Sequence, residues 1–166
     1  MLSAGRGELL YYAYIMNRQT TQGCELCALP GGEICWEDAR CRVVLVTGRD
    51  GADYPGTCRV IWRSHVAEMT DLNHADRERL MQVVYATESA LRQLCQPHKI
   101  NLASLGNLVP HLHWHVIPRY VDDAHFPAPI WAQAARPAAP GHPPPALGEL
   151  QQTLSKLLSG VTVPGA

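Results

Sequence analysis

A strong charge of either sign and a long apolar run are both missing from this 166-residue sequence. Lysine and arginine total 14 against 15 aspartates and glutamates, which leaves a formal net charge of −1 at pH 7. Because there is also no basic stripe and no platform of aromatic residues with arginine, we expect no nucleic-acid partner. No apolar run reaches the roughly 20 residues of a membrane-spanning helix, so we expect no membrane partner either.

The most apolar early stretch, residues 9–16, lacks the small-residue cleavage site that follows a secretory signal peptide. We interpret residues 1–23 as an N-terminal extension that adds a strand or a helix to the domain. Six cysteines without such a signal are typical of a reduced, cytoplasmic protein. Four of them lie among apolar or β-prone residues and are expected to be small buried hydrophobic groups: Cys35, Cys41, Cys58 and Cys95.

Clusters of β-prone residues predict four strands. They are expected at residues 41–47, 58–62, 100–105 and 112–117. Between the first two strands, residues 48–56 are dense in Gly, Asp and Pro, which predicts a loop.

One long amphipathic helix is predicted over residues 75–94, where apolar residues recur at helical spacing after a potential N-cap at Asn73. The helix connects the second strand to the third. A short turn at Gly106-Asn107 joins the last two strands, so these should be antiparallel. The fold class is therefore α+β, with a mainly antiparallel sheet and one long helix packed on it.

The composition changes after residue 132. Residues 133–145 are rich in Pro and Ala and predict a stiff linker without a core of its own. Leucines then recur at helical spacing and predict a short amphipathic tail helix that docks on the domain or on a partner subunit: Leu147, Leu150, Leu154 and Leu157. We accordingly divide the chain into an extension (1–23), a domain (24–132) and a linker with a tail helix (133–166).

The motif His111-Leu112-His113-Trp114-His115 occupies the last predicted strand. Side chains alternate across a strand, so the three histidines should share one face, roughly 6.5–7 Å apart in succession, while the intervening residues face the core. Three imidazoles on an open face can bind metal or phosphate, or transfer protons. The spacing alone leaves metal ligation and catalysis both open.

Residues 106–119, GNLVPHLHWHVIPR, closely resemble the signature of the histidine-triad (HIT) family, in which histidines alternate with apolar residues after a Gly-Gln-type turn. Residues 55–65, PGTCRVIWRSH, resemble the family's Pro-Gly-His-x-x-Val-Ile-Pro-x-x-His segment. The resemblance covers about residues 24–131 and implies a HIT-like fold. It departs from the family pattern at Thr57, where many members have a further histidine near the phosphate.

The resemblance implies a nucleotide hydrolase or nucleotidyltransferase. His113 would attack the α-phosphorus of a nucleotide conjugate through a neutral ring nitrogen, and water would then cleave the nucleotidyl-histidine. His115 would donate a hydrogen bond to the phosphate or the leaving group, and Asn107, at the family's Gln position, would donate to the phosphate. Adenylyl phosphoramidates, dinucleoside polyphosphates and adenylyl sulfate are the candidate substrates.

The CxxC motif of residues 24–27 fits either a metal site or a turn with two incidental cysteines. Several bacterial members of the family, and the related hexose-1-phosphate uridylyltransferases, hold structural zinc on a CxxC, a histidine after the Val-Ile strand and the first triad histidine. The resemblance therefore implies a closed tetrahedral zinc site on Cys24, Cys27, His65 and His111. In that site His111 is a metal ligand and takes no part in the chemistry.

Two other functions stay open. The first is a non-catalytic nucleotide-binding or interaction module stabilised by structural zinc, which Thr57 and the leucine-spaced tail favour. The second is a metal-dependent enzyme with zinc on all three motif histidines, which the CxxC and His65 disfavour because they already offer partners for His111. The resemblance also implies a homodimer, in which Trp131 either reaches the partner's active site or is a buried anchor.

Overall fold

The computed structural model describes residues 23–137 and 141–159. In chain order the elements are α1 (Glu25–Ala28), β1 (Glu33–Glu37), β2 (Cys41–Leu45), α2 (Gly48–Asp53), β3 (Cys58–Trp62), a 3₁₀ turn (Met69–Asp71), α3 (His74–Cys95), β4 (Lys99–Ala103), β5 (His113–Arg119) and α4 (Leu147–Leu158). Residues 1–22 of the predicted extension and residues 160–166 of the predicted tail lie outside the described ranges.

The five strands form one sheet in the order β1-β2-β3-β5-β4, and every neighbouring pair is antiparallel. The mainly antiparallel sheet that we predicted is therefore confirmed. The pairing of β3 with β5 positions the histidine motif, since it sets Arg59 opposite His115 and Ile61 opposite His113.

The single long helix packed on the sheet is also confirmed. Helix α3 begins after Asn73, whose side chain accepts a hydrogen bond from the backbone N–H of Asp76 at 2.9 Å, as an N-cap does. Its buried face, which includes Leu80, Val83 and Leu91, packs on β2, β3 and β5. The helix carries its apolar residues at the spacing the sequence indicated because those residues fill the space above the sheet.

The loop predicted over residues 48–56 is wrong over its first part, where α2 forms. Gly51 explains how a helix fits there: an added Cβ would lie 2.2 Å from the carbonyl oxygen of Val46, so only glycine permits this approach to the end of β2. Glycine is a turn signal in sequence, but in this position it allows close packing of a short helix.

Strand β1 was not among the predicted strands. Its pairing with β2 shifts register between Ile34 and Trp36, with Cys35 buried at the irregularity. A bulge interrupts the strict alternation of exposed and buried residues by which a strand is detected in sequence.

Helix α4 confirms the predicted tail helix and docks on the domain itself, against α3 and β1. Leu150, Leu154 and Leu158 are buried in the main core. In the segment that leads to it, Pro145 lies against Gly56, just before β3, where an added Cβ would lie 3.3 Å from the proline. Among the described residues, no helix combines the length and the apolar character that crossing a bilayer requires.

All six cysteines are free thiols. Cys35, Cys41 and Cys58 are buried as predicted, whereas Cys95 is only partly buried. Burial raises the pKa of the Cys95 thiol to about 11, so it is protonated and unreactive at neutral pH.

Candidate functional site

Four side chains meet where α1 faces the start of β5. The ligand atoms of Cys24, Cys27, His65 and His111 all lie within 4.8 Å of one another. The Sγ atom of Cys27 lies 3.4 Å from Nδ1 of both histidines, and Cys24 Sγ lies 3.5 Å from Nδ1 of His111. Donor atoms around a tetrahedral zinc ion, each about 2.0–2.3 Å from the metal, are roughly 3.3–3.8 Å apart. The cluster thus has the donor chemistry of a zinc site, and three of its donor-atom distances match tetrahedral spacing.

The orientation of His111 also fits a metal ligand. Its Nε2–H donates to the carbonyl oxygen of Trp62 at 2.6 Å, which leaves the lone pair of Nδ1 directed at the two cysteines. The side chain is fully buried, and burial lowers its pKa, so the ring is neutral at neutral pH. A neutral imidazole whose second nitrogen donates to a carbonyl is the form in which histidine binds metal.

Helix α1 presents the two cysteines from a single turn, since the backbone N–H of Cys27 donates to the carbonyl of Cys24 at 3.1 Å. Arg42, buried on β2, holds this turn in place by donating to the carbonyl of Leu26 within it and to those of Leu29 and Pro30 just after it, at distances between 2.7 and 3.1 Å. Sequence reasoning missed Arg42, because an arginine inside a β-prone stretch gives no sign of the carbonyl groups that it reaches.

His113 is buried and held by one hydrogen bond. Its Nδ1–H donates to the carbonyl oxygen of His111 at 2.6 Å, so the lone pair belongs to Nε2. Burial lowers its pKa, which keeps the ring neutral at neutral pH. The expectation that the histidines lie on an open face is wrong at this end of the motif: His111 is 0% and His113 is 8% exposed, because the Cys/His cluster covers the start of the strand.

His115 lies farther along β5, where its ring centroid is 5.0 Å from that of His113 and 5.4 Å from that of Trp131. Burial, with further contributions from His113 and from the positive charge of Arg59, lowers its pKa to about 4. At neutral pH the ring is uncharged and has one N–H to donate. Trp131 is 50% exposed and contacts His115 of its own chain, which rules out the buried anchor.

A cavity of about 560 Å³ opens beside His115, within the size range of small-molecule sites. One wall comes from β3 and the segment before it, and the other from the chain that follows β5 and folds back over the sheet. The lining includes Tyr54, Thr57, Arg59, Tyr120 and Trp131.

The wall after β5 is fixed by a buried arginine. Arg119, 1% exposed, donates to both carboxylate oxygens of Asp123 at 2.7 and 2.9 Å and to the carbonyl of Ala128 at 2.8 Å. Tyr120 then stacks on His142 from the linker, with ring centroids 3.5 Å apart. These contacts give the cavity a fixed wall built from residues beyond the histidine motif.

Three sequence-derived positions do not join the cavity as active groups. His113 is not among the cavity-lining residues, although its ring centroid lies 5.0 Å from that of His115, which is. Asn107 is exposed in the connection between β4 and β5 and is not among the cavity-lining residues. Thr57 does line the cavity, but it is 4% exposed and its hydroxyl donates to the carbonyl of Tyr54 at 2.7 Å. This hydroxyl proton is therefore already engaged with the backbone.

Arg59 is a site residue that sequence reasoning missed. It lines the cavity and lies directly opposite His115 on the neighbouring strand. The pairing of β3 with β5 brings Arg59 and His115 together from distant parts of the chain, so no local sequence pattern could predict their proximity.

The sequence profile of the HIT domain matches residues 35–122, slightly more than half of the chain. The chain therefore belongs to the HIT domain family, and the resemblance stated from the histidine motif is confirmed.

Solved structures agree with this assignment. A histidine triad protein from Marinobacter aquaeolei superposes with a TM-score of 0.61 at 27% identity, over 85% of this chain and 98% of that one. A histidine triad protein from Bradyrhizobium japonicum has a TM-score of 0.57 at 27% identity, over 80% and 92%. A zinc-bound histidine triad family protein from Mycobacterium smegmatis has a TM-score of 0.58 at 20% identity, over 84% and 98%, and supports the fold alone.

Among curated proteins, a Mycobacterium tuberculosis protein named AP-4-A phosphorylase is 31% identical over 78 residues. The match takes in 43% of this chain and 40% of the relative. The chain thus covers well under half of the curated relative that it matches.

Proposed function

We propose that this chain is a nucleotide-processing enzyme, a HIT-type hydrolase or nucleotidyltransferase in which His113 is the nucleophile. The observation that carries the proposal is the hydrogen bond from Nδ1–H of His113 to the carbonyl of His111, at 2.6 Å. It selects the tautomer with a lone pair on Nε2, and the lowered pKa of the buried ring keeps that lone pair free of a proton.

The reaction would proceed in two displacements. In the first, Nε2 of His113 forms a bond to the α-phosphorus and the bond from phosphorus to the leaving group breaks. The N–H of His115 donates to the leaving group or to a phosphate oxygen, and Asn107 donates to the phosphate if its turn closes on the ligand. In the second, water attacks the phosphorus, the P–N bond breaks, and a nucleoside monophosphate leaves.

The substrate would be a nucleotide conjugate such as an adenylyl phosphoramidate, a dinucleoside polyphosphate or adenylyl sulfate. The cavity has the volume for such a ligand, and the name AP-4-A phosphorylase borne by the mycobacterial relative points in the same direction.

Trapping of the covalent intermediate tests the proposal. The purified protein is mixed with nucleotide conjugates labelled at the α-phosphate, quenched in base, in which phosphohistidine-type bonds persist, and digested for mass spectrometry. We expect a nucleotidyl adduct on His113, and none in His113→Ala. An adduct elsewhere, or none with any conjugate of the panel, would refute the nucleophile assignment.

A non-catalytic nucleotide-binding or interaction module is the second candidate, and Thr57 favours it. The family's histidine is absent at this position, and the threonine hydroxyl is bonded to a backbone carbonyl. This function predicts nucleotide binding without an adduct and without turnover, so the trapping experiment separates the two.

We also propose that Cys24, Cys27, His65 and His111 bind a structural zinc ion. The supporting observations are the 3.4–3.5 Å spacing of the donor atoms and the hydrogen bond that orients His111. Elemental analysis of protein purified without chelators should find one zinc per chain. Zinc should be lost in Cys27→Ala and kept in Cys95→Ala, a matched cysteine variant outside the cluster. Metal-free protein from a reduced, chelator-free preparation would contradict the proposal.

Two broader expectations complete the proposed function. A homodimer follows from the resemblance, and light scattering of the purified protein checks it. A cytoplasmic location follows from the cysteine content and is checked by fractionation of the source cells.

A further inference from the structure

Arg59 lies beside the histidine motif, on the neighbouring strand β3. Its Cα is the cross-strand partner of His115, and its side chain lines the cavity. Its Nη1–H reaches the carbonyl of Gly31 at 3.5 Å, which directs the guanidinium across the histidine face of the sheet, toward the end of α1.

Several charged groups that line the cavity on the wall after β5 are engaged with each other or with the backbone. Asp123 is bound by Arg119, and Asp122 lies 3.1 Å from His142. Arg136 donates to two backbone carbonyls at 2.9 Å. These three groups belong to the wall after β5, whereas Asp53 lines the cavity from α2 and Arg59 contributes its positive charge from β3.

His115 supplies no positive charge of its own at neutral pH, because burial lowers its pKa to about 4. Phosphoryl transfer nevertheless needs positive charge near the equatorial oxygens, where negative charge accumulates. A guanidinium meets that need, because its planar fork matches two phosphate oxygens and it stays protonated.

The residue at position 57 is a further reason to consider Arg59. Thr57 occupies the position at which many family members have a further histidine, and its hydroxyl is bonded to the backbone. Arg59 lies two residues after Thr57, on the same wall of the cavity.

We propose that Arg59 is a phosphate-binding residue that supplies positive charge beside His115, its partner across the two strands. This proposal rests on the proposed nucleotide-processing function. In this role Arg59 binds the α-phosphate and stabilises the negative charge that develops on it during the reaction.

The test compares Arg59→Met and Arg59→Lys with Arg92→Met, which removes the same charge from the exposed last turn of α3. Calorimetry measures the binding of AMP, GMP, CMP and UMP and of the corresponding nucleosides, at low and at high salt. Initial rates are measured with the matching nucleoside phosphoramidate. Thermal unfolding and nucleoside binding report whether each variant is folded.

For Arg59→Met we expect about 10- to 100-fold weaker binding of the best nucleoside monophosphate, because a charge-assisted hydrogen bond is lost. Binding of the nucleoside should be unchanged, and the salt dependence of monophosphate binding should diminish. Turnover should fall by roughly 100-fold. Arg59→Lys should recover part of both losses, and Arg92→Met should match the unaltered protein.

Equal loss of nucleoside and monophosphate binding in Arg59→Met would assign Arg59 a structural role and overturn the proposal. Monophosphate binding and adduct formation that are unaffected by Arg59→Met would overturn it while leaving the nucleophile assignment of His113 intact. If the unaltered protein binds no nucleotide and forms no adduct, the proposed function fails and this inference fails with it.

Discussion

The Cys/His cluster at one end of the histidine motif and the cavity at the other end differ in how they are built. At the cluster, His111 is completely buried and hydrogen-bonded on Nε2, and its other nitrogen is directed at two thiols. At the cavity, His115 borders space for a ligand, with Arg59 opposite and Trp131 at its edge. Histidines four residues apart, one just before β5 and one on it, thus face a closed polar cluster and an open pocket, and His113 lies between the two.

This difference in construction suits the cluster to stabilising the fold and the cavity to chemistry. A closed cluster suits a structural metal, whose binding energy contributes to folding. A neutral imidazole beside a cavity suits proton donation and phosphate contact. Substitutions at the two ends should therefore affect different measurements.

The largest effect is expected for His113→Ala, which removes the proposed nucleophile. The kcat/KM for a nucleoside phosphoramidate should fall at least about 10³-fold, because no other group can form the covalent intermediate. Zinc content should be unchanged. His74→Ala, an exposed histidine at the start of α3, is the matched control and should keep full activity. Turnover retained in His113→Ala would refute the assignment of His113 as the nucleophile between the cluster and the cavity.

Cys24→Ser should destabilise the protein by roughly 3–5 kcal/mol, since loss of a structural metal removes folding energy. Urea unfolding, with and without a chelator, measures this change. The chelator should destabilise the unaltered protein and have little further effect on the variant. If both proteins unfold at the same urea concentration, the cluster contributes no metal-linked stability.

Leu154→Ala should destabilise the protein by about 3 kcal/mol, because its side chain is fully buried in the core that α4 shares with the domain. Thermal or urea unfolding gives the value, with exposed Lys156→Ala as the control expected within about 0.5 kcal/mol of the unaltered chain. Zinc content should not change in either variant. A negligible effect of Leu154→Ala would show that the tail helix docks elsewhere in solution.

The smallest effect concerns pH and His115. Its pKa falls from 6.5 to about 4 on folding, so the unfolded chain binds more protons between these values. The burial of His115 therefore costs no stability above about pH 6.5, and the free energy of unfolding decreases as the pH falls toward 4. His115→Asn should remove about 2 kcal/mol of the stability lost between pH 7 and pH 4.5. Parallel urea titrations at the two pH values measure it, and identical pH dependence in both proteins would contradict the burial of a neutral ring.

Much of the fold follows from local pattern. Helix α3 could be predicted because its apolar residues and the Asn73 cap are near neighbours in sequence, and the tail helix because its leucines repeat at helical spacing. Strand β1 was missed because a bulge at Cys35 breaks its alternation, and α2 because Gly51, a turn signal, permits a close approach to Val46. Both misses arise where a backbone contact distant in sequence sets the local conformation.

The candidate site divides in the same way. The histidine motif and the CxxC are each a short run of neighbouring residues, so both could be recognised in the sequence. The structure brings the four proposed zinc ligands together. Arg42 and Arg59 could not be found, because their roles depend on carbonyl groups and a strand partner that only the folded chain supplies.

The sequence by itself determined that three histidines alternate with apolar residues, which is the two-residue period of a strand, and β5 begins at the second of them, His113. It also contained a second set of soft ligands in the CxxC. Only the tertiary structure decided what each histidine does, because tautomer, protonation and accessibility depend on neighbours brought from elsewhere. The carbonyl of Trp62 orients His111 toward the cysteines, and the carbonyl of His111 orients His113. Burial then keeps all three rings neutral at neutral pH, and the pairing of β3 with β5 places the positive charge of Arg59 opposite His115.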